Sequence, residues 1–161
     1  QRVGVVFPKD TIILDSFLQR PAENCRRRFV LAHEIGHVLI NRADPLHNPA
    51  CFDRDYDSER SYSFQELQER MTLGECQANT MAALLLMPKP LLESTLRRHV
   101  RRQRIPIYGE CVLLPSTKPA VNAMADELGV SFSALLIQLK KYNMVERHDI
   151  QEYVLKMRQA T

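Results

Sequence analysis

The sequence predicts an α+β fold, with a small antiparallel sheet packed on the helices that carry the candidate site and a mostly helical C-terminal part. Two short segments rich in β-branched residues, residues 3–7 and 11–14, are separated by Pro8-Lys9-Asp10. They predict a hairpin or two edge strands. From Glu23 onwards, apolar residues recur mostly at intervals of three and four, which is typical of helices.

The remaining elements follow from periodicity and from turn residues. A long loop is expected over residues 41–62, because this stretch is rich in Asp, Asn, Pro and Ser and has little periodicity. The predicted helices cover residues 23–40, 63–87 with a break near Gly74, 91–104, 118–128, 131–142 and 149–159, and a strand is predicted over 108–114. We expect residues 1–161 to form a single domain with a helical subregion over 117–161. The chain starts at Gln1, so we expect an incomplete N-terminus.

The composition is that of a soluble globular protein, with 45% hydrophobic and 25% charged residues. No apolar run is as long as a membrane span, so we expect no membrane association. The net charge of +3 gives little reason to expect nucleic-acid binding. None of the four cysteines forms a C-x-x-C pair, and we interpret them as reduced thiols of a cytoplasmic protein.

The chemistry centres on an H-E-x-x-H motif, His33-Glu34-Ile35-Gly36-His37, flanked by apolar helical segments. Side chains four apart lie on the same face of a helix, so both imidazoles can reach one metal ion. Glu34 can then reach a water at that ion. A catalytic zinc site needs a third protein ligand and a fourth position for water. The alternative is that both histidines are ordinary helix residues.

The third ligand has to come from further along the chain. Peptidases that place a Gly three and a His six residues after the second motif His are excluded, because Ile40 and Ala43 occupy those positions. Glu75 lies 38 residues after His37, where an apolar helix begins. Asn79, one turn beyond it, could accept a hydrogen bond from a ligand histidine and fix its ring. Glu75 could instead be a first-turn carboxylate stabilised by the helix dipole, and spacing leaves both interpretations open.

These motifs resemble those of the ImmA/IrrE family of bacterial metallopeptidases. The family pattern R-F-T-x-A-H-E-x-G-H matches residues 28–37, with Val30 in place of Thr. Its second pattern, E-x-x-A-N-x-F-A followed by L-L-M-P, matches residues 75–82 and 85–88, with Met81 in place of Phe. The segment 125–131 also looks like the usual ending of the family, whereas the loop over 41–72 is longer than usual.

The resemblance implies a zincin-like fold and a gluzincin-like metallopeptidase. His33, His37 and Glu75 would be the metal ligands and Glu34 the catalytic base. Zinc is the expected ion, and Mn²⁺ or Fe²⁺ would suit the same donors. Known relatives cut helix-turn-helix transcriptional repressors at DNA-damage genes or on mobile elements. The expected partner is therefore such a repressor, which would place the protein in transcription regulation and the stress response, without direct DNA binding.

Other features leave alternatives open. The second hypothesis is a non-enzymatic regulator that binds DNA or a repressor and has a structural metal site. The third is a catalytically silent sensor domain that binds a repressor without cutting it. A helix-turn-helix over 125–139 would support DNA binding, but its apolar residues favour a helix pair in the core. A basic cluster is interpreted mainly as a solvated helix face; its members are Arg97, Arg98, His99, Arg101, Arg102 and Arg104. The candidate oxyanion donors are His47, Tyr56, Tyr62, His99 and Tyr108.

Overall fold

The computed structural model describes residues 11–43 and 73–159, and the contacts divide these into two compact units, one ending at Ala82 and the other starting at Ala83. Two short 3-10 helices, Ser16–Gln19 and Pro21–Glu23, precede the first α-helix. The α-helices are α1 (Asn24–Ala43), α2 (Leu73–Leu86), α3 (Lys89–His99), α4 (Lys118–Leu128), α5 (Phe132–Lys141) and α6 (Ile150–Gln159). The strands are β1 (Ile105–Tyr108) and β2 (Val145–His148).

In the first unit, small residues let α1 and α2 approach closely. Ala32 on α1 is buried, and Ala78 and Ala82 on α2 are fully buried. A Cβ atom on Gly36 would lie only 3.1 Å from the backbone oxygen of Ala78. Such a distance is shorter than ordinary van der Waals contact, so a side chain at position 36 would require α2 to shift by a few tenths of an ångström. The crossing joins the two helices that carry the predicted ligands.

In the second unit, α3 to α5 pack around the strands to form a hydrophobic core. The turn between α4 and α5 has Gly129 in the left-handed conformation, with φ of 63°, as is usual for a residue that ends a helix. The Ser131 side chain then accepts a hydrogen bond from the Ala134 backbone N–H at 3.2 Å and starts α5. The fully buried apolar residues of this core are Leu92, Ile105, Ile107, Tyr108, Val121, Met124, Leu135 and Leu139.

No single helix in the described ranges is long and apolar enough to cross a membrane. Helices α4 and α5 meet that length and composition only when taken together, and the chain bends by 97° between them. Their apolar faces supply much of the core of the second unit.

The predicted antiparallel sheet is wrong, because the sheet that the structure describes is parallel. Ile105 pairs with Val145, and the register continues to Tyr108 opposite His148. Parallel strands need a long crossover connection, and α4 and α5 provide it here. The C-terminal part is mostly helical, as predicted, and the helices with one small sheet are compatible with the α+β class. Packing of a sheet on the site helices and a zincin-like arrangement stay predictions.

The local predictions have mixed outcomes. The helices starting near residues 23, 118, 131 and 149 are confirmed, although α1 continues through Ala43 into the predicted loop. Residues 11–14 do not form a strand. The strand predicted over 108–114 instead occupies 105–108, and Tyr108 and Val112 form an isolated bridge. Residues 3–7, 63–72 and most of the loop lie outside the described ranges, and the single domain remains a prediction.

Candidate metal centre

Helix α1 places the two motif histidines on one face, as their spacing predicts. The His33 and His37 ring centroids are 4.7 Å apart, and the rings meet edge to face at 83°. Their Nε2 atoms are 3.1 Å apart. Both side chains are about five-sixths buried, with 15% and 16% of their surface exposed. Two imidazole nitrogens therefore converge on the same point beside the helix.

Helix α2 brings the Glu75 carboxylate to that point. Glu75 Oε2 lies 3.1 Å from His33 Nε2, and Glu75 Oε1 lies 2.8 Å from His37 Nε2. The carboxylate belongs to the first turn of α2, and the residue is only 7% exposed. Ligand atoms from all three residues lie within 4.8 Å of one another. The three side chains predicted as ligands are thus brought together.

Asn79, one turn after Glu75, fixes the orientation of His33. Its Oδ1 lies 3.0 Å from His33 Nδ1. A side-chain carbonyl oxygen can only accept a hydrogen bond, so the Nδ1 atom carries the hydrogen. In the neutral ring, Nε2 then keeps its lone pair, and it faces Glu75 and His37. This is the arrangement that a histidine needs in order to bind a metal through Nε2.

The donor atoms suit a divalent ion such as zinc. Glu75 Oε1 is buried and has no hydrogen-bond partner in the described part of the chain, although it lies 2.8 Å from His37 Nε2. That contact is short, but its direction is not that of a hydrogen bond. Donors around tetrahedral zinc are about 3.3 Å apart, close to the spacings here. A nitrogen-nitrogen-carboxylate set also matches the ligands of zinc hydrolases.

The close helix crossing determines where these donors meet. Gly36 lies between the two histidines, and Ala78 lies between Glu75 and Asn79. The two residues touch where α1 and α2 cross. A larger residue at position 36 would push apart the two backbones that carry the donors. Sequence patterns that specify only the ligands do not reveal this requirement.

The catalytic candidate Glu34 is half-buried next to His33. Within residues 11–43 and 73–159, no hydrogen-bond or ion-pair partner of its carboxylate is found. A carboxylate without a fixed partner can accept a proton, which is the role predicted for it.

The candidate oxyanion donors divide into two groups. His47, Tyr56 and Tyr62 lie outside the described residues. His99 and Tyr108 belong to the second unit and have other partners there. His99 Nε2 is 2.6 Å from Glu127 Oε2, and the Tyr108 hydroxyl accepts a hydrogen bond from Lys156 Nζ at 2.8 Å. Their predicted catalytic role has no support from these contacts.

Glu127 is a residue that the sequence analysis missed. It pairs with both His99 and Arg98, which joins α3 to α4. The hydrogen bond with His99, together with the Arg98 guanidinium, lowers the pKa of the Glu127 carboxyl. Part of the predicted basic cluster is thus neutralised within the unit.

The family follows from a match that covers most of the chain. The family model for the IrrE N-terminal-like domain of the M78 peptidases matches residues 17–140, which include all the site residues described above. The chain belongs to this family. Its membership confirms the resemblance seen in the sequence motifs. No solved structure matches the chain.

Two curated relatives carry the name radiation response metalloprotease IrrE. The one from Deinococcus radiodurans is 33% identical over 97 residues, which are 60% of this chain and 25% of the relative. The one from Deinococcus deserti is 35% identical over 98 residues, 61% of this chain and 30% of the relative. The chain therefore aligns with only a quarter to a third of these longer IrrE proteins.

Proposed function

We propose that this IrrE-like chain is a zinc-dependent endopeptidase. The observation that carries the proposal is the convergence of two imidazole nitrogens and one buried carboxylate, all within 4.8 Å. His33, His37 and Glu75 would hold the ion. The family and the metalloprotease names of its relatives support the same activity. Mn²⁺ or Fe²⁺ would suit the same donors.

Each side chain has a separate task in this mechanism. A bound zinc ion supplies a Lewis acid, which polarises the scissile carbonyl and lowers the pKa of a water. Glu34 accepts a proton from the attacking water and later delivers it to the nitrogen of the departing amine. Asn79 holds the His33 ring so that Nε2 faces the ion.

The proposed substrate is a helix-turn-helix transcriptional repressor, as the resemblance to the ImmA/IrrE family implies. The test mixes the purified protein and zinc with the repressor encoded nearby. Intact-mass spectrometry then looks for one pair of fragments whose masses sum to the repressor plus one water. Chelation should abolish the cut, and added zinc should restore it. A repressor that stays whole at saturating zinc counts against this substrate.

The role of Glu34 is tested by Glu34→Gln, which keeps the shape of the side chain but cannot accept the proton. We expect cleavage to fall by about 10²–10⁴-fold, the usual contribution of a general base. Zinc content, measured by metal analysis, should stay at the wild-type level. The exposed Glu110 offers a matched control, Glu110→Gln, which should cleave normally. Full activity in Glu34→Gln would remove Glu34 from the mechanism.

The alternative is a DNA-binding regulator with a structural metal site. The 97° bend between α4 and α5 lies within the range of helix-turn-helix motifs and is the observation that favours it. A structural zinc site, however, is normally closed by four protein ligands, and the cluster has three within the described residues. Salt-dependent DNA binding without any cleavage by the zinc-loaded protein would favour this alternative.

A further inference from the structure

A cleft in the second unit runs along one face of α3 and shares no lining residue with the candidate metal centre. Its volume is about 350 Å³. Lys89, Glu93 and Arg97 line it from α3, at intervals that place them on the same side of the helix. Arg102 and Arg104 line it from the segment that leads into β1. Among the described residues, four cations and one carboxylate therefore line this space.

No ion pair neutralises these cations within residues 11–43 and 73–159. Arg98, the neighbour of Arg97 on α3, pairs with Glu127. By contrast, Lys89, Arg97, Arg102 and Arg104 have no ion-pair partner within the described parts of the chain. The first and last turns of α3 both line the cleft, so their opposite half-charges cancel, and the C-terminus of α5 contributes roughly half a negative charge. After Glu93 and this helix end are counted, an excess of about two to three positive charges remains.

The floor and the far wall have a different chemistry. Leu96 and Met144 form a buried apolar floor, with 2% and 5% of their surface exposed. Tyr142 is half-buried in the wall. The side-chain amides of Gln103 and Asn143, both exposed, can each donate and accept hydrogen bonds. The cleft thus combines cations with an aromatic ring and two amides.

We propose that this cleft binds a nucleoside phosphate. Arginine forks bind phosphate oxygens in pairs, which suits the cationic end. A planar base would lie against the Tyr142 ring and the apolar floor, with its polar edge towards the amides. The volume is near the lower limit of small-molecule sites, which suits one nucleotide and not a longer strand.

The experiment measures binding of ATP with Mg²⁺ to the full chain by isothermal titration calorimetry. Arg97→Gln should weaken binding by about tenfold or more, because a charge-assisted hydrogen bond to phosphate is lost. Arg98→Gln removes the same charge one residue away, outside the cleft, and should change the affinity by less than about twofold. Tyr142→Leu should weaken ATP binding but leave binding of inorganic tripolyphosphate unchanged.

Several outcomes would overturn the proposal. Absence of ATP binding at millimolar concentration would do so, as would equal weakening by Arg97→Gln and Arg98→Gln. Tighter binding of tripolyphosphate than of ATP would show that the Tyr142 ring and the apolar floor do not bind a base. If an oligoglutamate peptide or a single-stranded oligonucleotide binds this cleft and ATP does not, the cleft binds a macromolecule instead of a nucleotide. Saturating zinc must leave the affinity for ATP unchanged, since a change there would indicate nucleotide coordination at the metal centre.

Discussion

Asn79 offers the sharpest test of the candidate centre, because it contacts the proposed ligand His33 and is not itself proposed as a ligand. Its Oδ1 lies 3.0 Å from His33 Nδ1, whereas the metal would bind at Nε2 on the other side of the ring. Replacing Asn79 by Ala removes the acceptor and frees the ring to rotate. Replacing it by Asp keeps an acceptor in the same place and adds a negative charge, as in carboxylate–histidine–zinc sites.

The size of the effect follows from the energy of this contact. Loss of a partner that orients a ligand histidine lowers metal affinity by about 10–100-fold, or about 1.4–2.7 kcal/mol. His33 is 15% exposed, so water can replace the lost acceptor only in part. We therefore expect Asn79→Ala to lie in the upper half of that range. Asn79→Asp should bind zinc at least as tightly as the wild type, because a carboxylate is the stronger acceptor.

Zinc affinity can be measured by competition with a chromophoric chelator at fixed pH. Gln77 lies two residues away on α2 and is exposed, so Gln77→Ala is a matched control that also removes an amide. The control should bind zinc like the wild type. If Asn79→Ala also binds zinc like the wild type, the contact with His33 does not orient a ligand and our assignment of Asn79 is wrong.

Two further predictions concern the packing of each unit. Gly36→Ala places a Cβ about 3.1 Å from the Ala78 oxygen. The cost of overpacking, about 1–3 kcal/mol, should exceed the gain in helix propensity of about 1 kcal/mol. Thermal unfolding should show lower stability and zinc titration weaker binding, and an unchanged unfolding midpoint would contradict this prediction. The pKa of Glu127 is lowered in the folded protein, so its stabilisation is present above the ordinary value of 4.5 and disappears as the pH falls through the folded value. In urea unfolding, the free energy of unfolding of Glu127→Gln should therefore be lower than that of the wild type at pH 7, and the two values should converge in acid. A difference that stays constant with pH would contradict this account.

The sequence contains most of the information about the metal centre. The spacing of His33 and His37 fixes their common helix face, because the α-helix repeats every 3.6 residues. No local rule relates residues 38 apart, so only the resemblance to a family indicates Glu75 as the third ligand. The close helix crossing at Gly36 could not be predicted, because no sequence pattern indicates which residue of another helix a glycine will contact.

The sheet shows where local patterns fail. Strand β2 has the sequence Val-Glu-Arg-His, and its two central residues are exposed, so it lacks the apolar alternation of a strand. Strand β1 contains Pro106, which argues against a strand in sequence analysis. Both strands exist because they pair with each other across the α4–α5 connection. Pairing between segments 40 residues apart is a tertiary property that no short window contains.

Burial supports metal binding over stabilisation by the helix dipole, the two interpretations of Glu75 that the sequence leaves open. A carboxylate in the first turn of a helix gains about 0.3–1 kcal/mol from the dipole. Removing it from water costs several kcal/mol, and Glu75 is only 7% exposed. The dipole alone is therefore too weak to offset this cost, and a nearby positive charge would offset it. His33 already donates from Nδ1 to Asn79, so it could donate to Glu75 as well only as an imidazolium. A divalent ion meets the same need while both rings stay neutral, and it also gives Glu75 Oε1 a partner.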